Sequence, residues 1–133
     1  MLKLLVAYAA TTVIFFALDF IWLSSALGFY RERLGNLLLD NPQLGYAAGF
    51  YLLYVAGIVA LAVNPALNGG NWVNALVAGA ILGLVAYGTY DMTNLSTLRG
   101  WSLTVSVVDM AWGTALTATA ATGGYLITRW LFP

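Results

Sequence analysis

Four long, mostly apolar runs limit what this chain can fold into more tightly than any other feature of it. They extend from about Leu4 to Leu27, from Pro42 to Val63, from Trp72 to about Leu95 and from Trp101 to about Trp130. A helix crossing ~30 Å of hydrocarbon at ~1.5 Å per residue needs about 20 such residues, and each run supplies them. The runs are too long, and too helical in spacing, for the ~10-residue alternating strands of an outer-membrane barrel. The reading is an all-α integral membrane protein, a four-helix bundle forming one four-span domain over residues 1–133. Composition agrees: 62% of the residues are hydrophobic and 8% charged, where a soluble domain carries about a quarter charged. Five bases balance five acids, which leaves no electrostatic footprint for nucleic acid. Without Cys or His the chain has no disulfides, thiolate or imidazole metal ligands, or His-based triads. No cofactor and no metal are expected.

Punctuation between the runs sets their ends. The first run is longer than a signal-peptide core and is interrupted by Asp19, so it is expected to be retained as a helix. Asp40-Asn41-Pro42 reads as the cap and first-turn proline of the second helix, and Asn64-Pro65 as its stop. Asn71 is the expected N-cap of the third helix, and Arg99-Gly100 its end. The stretch from Phe29 to Leu39 clusters Arg31, Glu32 and Arg33 between apolar groups. It reads as a short amphipathic helix in the interface between helices 1 and 2, with Phe29 and Tyr30 at headgroup level. Gly45 with Gly49, and Gly79 with Gly83, have the four-residue spacing that lets membrane helices approach closely, within the chain or between two copies. Arg31, Arg33 and Arg99 oppose Lys3 and Arg129, a near-tie that only slightly favours termini outside.

Asp19, Asp91 and Asp109 are the acids that fall inside the runs. An acid in a span costs a few kcal/mol, so each needs a reason. Asp19 precedes Leu27 by eight residues and Asp109 follows Trp101 by eight, about 12 Å of helix in either case. Asp91 lies four residues before Leu95. In a four-span hairpin topology the first and third connections share a membrane face, so the three carboxyls converge in one leaflet. Helical phase adds Thr12, Phe15 and Trp22 to the Asp19 stripe, and Ser102, Ser106, Trp112 and Gly113 to the Asp109 stripe. Tyr87 and Asn94 share the Asp91 face, with Tyr90 and Thr93 beside it, while Tyr46, Tyr51 and Tyr54 reach comparable depth from the second helix. The pattern Asp-x-x-Trp occurs at Asp19–Trp22 and again at Asp109–Trp112.

With no Lys or His in any span, three neighbouring carboxyls cannot all stay ionised. Acids among Trp and Tyr faces suit a cation, and the same groups can donate and accept a proton in a dry pocket. The plainer alternative makes each Asp a hydrogen-bond hub, with Arg99 folding back onto Asp91 and Arg31 or Arg33 reaching Asp19. Trp22 and Trp112 would then be packing residues, and Trp72, Trp101 and Trp130 belong to the interfacial belt.

The run from Tyr90 to Leu98, Trp101, and Asp109-Met110-Ala111-Trp112-Gly113 resemble the domain-of-unknown-function 2177 family of bacterial membrane proteins. Leu18-Asp19-Phe20-Ile21-Trp22-Leu23 and the following Phe29-Tyr30 resemble its amino-terminal pattern. The resemblance implies a four-span, multi-pass protein of the bacterial inner membrane. It also implies a shared core of Asp19, Trp22, Tyr90, Asp91, Thr93, Asn94, Asp109 and Trp112. With Tyr87 these residues form the expected ligand-binding set, and Asp19, Asp91 and Asp109 are the candidates for any acid–base chemistry. The expected partners are the lipid bilayer and a lipophilic or cationic small molecule or lipid. Two alternatives stand beside this reading: a homodimeric proton- or cation-coupled transporter, and a non-catalytic subunit or scaffold with structural acids.

Overall fold

A computed structural model describes all 133 residues, and its regular structure is all helical, with no strand. Helix α1 runs from Leu2 to Leu34. Helix α2 covers Leu44–Ile58, and a π turn over Val59–Val63 carries it without a break into the short α3, Asn64–Leu67. Helix α4 is Trp72–Thr97 and α5 is Leu103–Leu131. Three helical stretches are long and apolar enough to cross a membrane: Leu2–Leu37, Leu44–Leu67 and Trp72–Thr97.

The element ends follow from local chemistry, with three corrections to expectation. Asn71 caps α4 in a reciprocal box: its Oδ1 accepts from Val73 N at 2.9 Å and Asn74 N at 3.3 Å, and Asn74 Oδ1 accepts from Asn71 N at 2.7 Å. Ser102 caps α5 by accepting from Val105 N at 3.1 Å. The expected separate interfacial helix is instead the last turns of α1, which continues unbroken to Leu34 and ends where Gly35 takes φ 52°, followed by a 3-10 turn over Gly35–Leu37. Nothing between Leu27 and Leu34 breaks the hydrogen-bond ladder, and a left-handed glycine does. Asp40-Asn41-Pro42 does not cap α2, which starts at Leu44 after Gln43 without a side-chain cap. Asn64-Pro65 does not stop the second rod. A proline lacks its N–H and crowds the carbonyl four residues back, and the π turn just before it reroutes those bonds so that one more helical turn follows.

Helix α5 is the centre of the packing. Gly79 and Gly83 of α4 lie against its Ala118, Ala121 and Thr117, where an added Cβ would meet heavy atoms closer than real contacts permit. On its other side Gly124 is in contact with Thr11 of α1, and Gly123 with Ile14. In lipid, close backbone approach replaces hydrophobic driving force as the helix glue, which explains why the most enclosed helix is rich in Gly, Ala and Thr rather than Leu. Gly45 and Gly49 of α2, by contrast, have open space around them. Phe15 locks α1 to α2 through edge-to-face contacts with Tyr51 and Tyr54, at ring separations of 5.3 and 5.6 Å.

Candidate functional site

The continuous α1 puts Asp19, Trp22 and Tyr30 on one stripe, because residues eleven apart return to nearly the same helical phase. Across from it, α5 presents Asp109 and Trp112, and α4 presents Tyr87 and Asp91. Close packing brings the elements together: Gly113 leaves no room for a Cβ beside the Tyr87 ring, and that absence lets α4 sit against α5 at this level.

The two Asp-x-x-Trp units interlock. Trp112 Nε1 donates to Asp19 Oδ1 at 3.3 Å. Trp22 Nε1 donates to the Tyr30 hydroxyl at 3.0 Å, and that hydroxyl donates to Asp109 Oδ1 at 2.9 Å. Each indole therefore serves the acid of the other unit, one directly and one through a tyrosine. The indoles themselves lie stacked, with centroids 4.5 Å apart and planes 8° from parallel. Tyr51 stands beside Asp19, and the Tyr54 hydroxyl is 2.9 Å from Thr117 Oγ1.

Asp91 differs from the other two acids. It is 0% exposed and receives no bond from an N–H or hydroxyl group; its polar neighbour is the Asp109 carboxyl, within hydrogen-bonding reach. No basic residue approaches the three acids. Arg33 is 3.8 Å from Glu32 and 4.1 Å above the Phe29 ring, and Arg31 donates to Asp40 O at 3.3 Å. The fold-back of Arg99, Arg31 or Arg33 that the plainer alternative invoked does not occur.

Asp19, Asp91 and Asp109 line one cavity of about 560 Å³, within the range of small-molecule sites. Trp22, Tyr87, Tyr90 and Trp112 line it with them, so seven of the nine expected ligand-binding residues share one space. Thr93 and Asn94 are not among its walls. Thr93 sits two residues, about 200°, round the helix from Asp91. Its hydroxyl is taken by the carbonyls of Thr89 and Tyr90, at 2.5 and 3.1 Å. Asn94 stays next to Tyr90. Tyr30, expected at headgroup level, and Trp101, expected in the interfacial belt, also line the cavity. Trp101 packs edge-on against Tyr90 at 5.8 Å and donates to Ser106 Oγ at 3.0 Å. Tyr46, expected at the same depth as Tyr51 and Tyr54, points away and is 81% exposed.

A family model described as Predicted membrane protein (DUF2177) matches residues 4–126 of the chain. No curated protein and no solved structure matches it.

Proposed function

The chain belongs to the DUF2177 family of membrane proteins, and from that premise we propose that it is a four-span, multi-pass protein of the bacterial inner membrane whose cavity binds a lipophilic small molecule or lipid. Asp19, Asp91 and Asp109 are the polar end of that site, and Trp22, Tyr87, Tyr90 and Trp112 are its aromatic walls. The carrying observation is the facing pair Asp91 and Asp109, two acids with no base beside them in the wall of one cavity. Two carboxyls side by side without a base cost the fold free energy, and a bound donor or cation at the pair would relieve it. The facing pair Asp91 and Asp109 is also suited to hold and pass one proton to a bound molecule.

Native mass spectrometry of the protein released from mild detergent, beside its Asp91→Asn variant, tests this. The expected result is a defined adduct on the unmodified chain that is absent from the variant. Bare protein in both spectra would overturn the reading. The dimeric transporter is supported by one feature, the open face of α2 at Gly45 and Gly49. A clean dimer with no adduct would put it first.

A further inference from the structure

Resting on that reading, we infer that the ligand is a cationic amphiphile, an ammonium head on a hydrocarbon chain, which enters sideways from the lipid between α1 and α2. The two ends of the cavity differ in kind. Its closed end holds Asp91 at 0% exposure, Asp19 at 6% and Asp109. None of the five basic residues is in its walls. An anionic head would meet like charge there with nothing to offset it. A head without charge or donors would do nothing for the facing acids Asp91 and Asp109. An ammonium brings charge and donors together, and the stacked indoles with Tyr87 and Tyr90 offer ring faces for cation–π contact.

The open end is hydrocarbon. Leu23 and Leu27 of α1, Leu37 of the 3-10 turn and Phe50 of α2 line the cavity and also lie on the outer surface, Leu27 at 44% and Phe50 at 62% exposure. All four belong to stretches whose length and composition suit a membrane crossing, which favours a mouth open to acyl chains. Leu34 and Leu38 continue the apolar wall inward, and the exposed Ala47 adds to its rim. A single-chain molecule thus places its head on the acids and its tail through the gap.

Three probes that share one chain and differ only in the head test the inference: hexadecylammonium, hexadecanol and hexadecanoate, titrated against the full protein in uncharged maltoside micelles. Hexadecylammonium is expected to bind one to one and about tenfold or more tighter than the other two, and Asp91→Asn should weaken it about tenfold. Asp109→Asn serves as a second variant should the first fail to fold, and melting curves establish that each variant is intact. Ala47→Trp, at the apolar rim, should reduce binding of the ammonium probe, and Tyr46→Phe, away from the cavity, should leave it unchanged. Hexadecanoate bound as tightly as the amine, or amine binding indifferent to both Asp variants, would overturn the inference. Hexadecanol bound best in an Asp91-dependent way would overturn the cationic head while keeping the lipophilic-ligand reading. No Asp91-dependent binding of any probe would sink both.

Discussion

A carboxyl sealed from solvent beside a second carboxyl, with no base near either, carries a desolvation penalty of about 1–3 kcal/mol that contact with Asp109 alone offsets only in part. An amide at position 91 would offer Asp109 an N–H donor and remove repulsion between two facing acids. Asp91→Asn is therefore expected to raise the melting midpoint in detergent by a few degrees, roughly 1 kcal/mol, while losing the ligand. A lowered midpoint with unchanged ligand retention would instead make Asp91 a structural hub. Tyr30→Phe should act in the opposite direction. It removes the hydroxyl that joins Trp22 to Asp109, at a cost of about 1–2 kcal/mol. It should also loosen the indole stack, read as a weakened near-ultraviolet circular dichroism signal. A variant as stable as the parent with an unchanged signal would mean that the bridge contributes nothing. The three acids were legible from sequence because a charge inside an apolar run has few benign explanations. Tyr30 was not, because a tyrosine flanked by arginines reads as an interfacial anchor. Extending the Asp19 stripe by eleven residues would have found it.

Among the elements, the two glycine pairs that looked alike in sequence have opposite roles. Gly79 and Gly83 meet α5 backbone and side chains, and Gly113 meets the Tyr87 ring, whereas Gly45 and Gly49 meet nothing within 4 Å. Gly113→Ala and Gly83→Ala are expected to wedge α4 from α5 and cost about 1–3 kcal/mol each, read as a lower melting midpoint. Gly45→Ala should stay within about 0.5 kcal/mol of the parent. Equal effects at all three positions would contradict the α4–α5 packing described above. Spacing alone cannot say which face of a membrane helix meets protein, since small residues serve either neighbour. Element ends were legible where one side chain decides them, as at Asn71. They were missed where the ladder could adapt, as in the π turn before Pro65, or continue, as α1 does past Leu27.

Across the whole molecule, the least apolar long helix is also the most enclosed. Three stretches qualify as spans by length and hydropathy, and α5, rich in Gly, Ala and Thr, is packed between α4 and α1. A central helix needs less lipid-facing surface, so its lower hydropathy is what its position requires. At 29 residues it extends about 44 Å, more than the ~30 Å hydrocarbon core. If α5 crosses, both chain ends and the turn before α4 share one face, and the connections after α1 and α4 share the other. The chain has no Cys, so single cysteines report this without background. Lys3→Cys, Asn68→Cys and Pro133→Cys are expected to react with a membrane-impermeant maleimide to the same extent in sealed vesicles. Asn41→Cys and Arg99→Cys should react to the complementary extent. Matching extents within each set hold for one orientation or a mixture of two, so the near-tie in flanking charge does not affect the outcome. Label at Pro133 that follows Arg99 rather than Lys3 would leave α5 uncrossed and overturn the four-span topology.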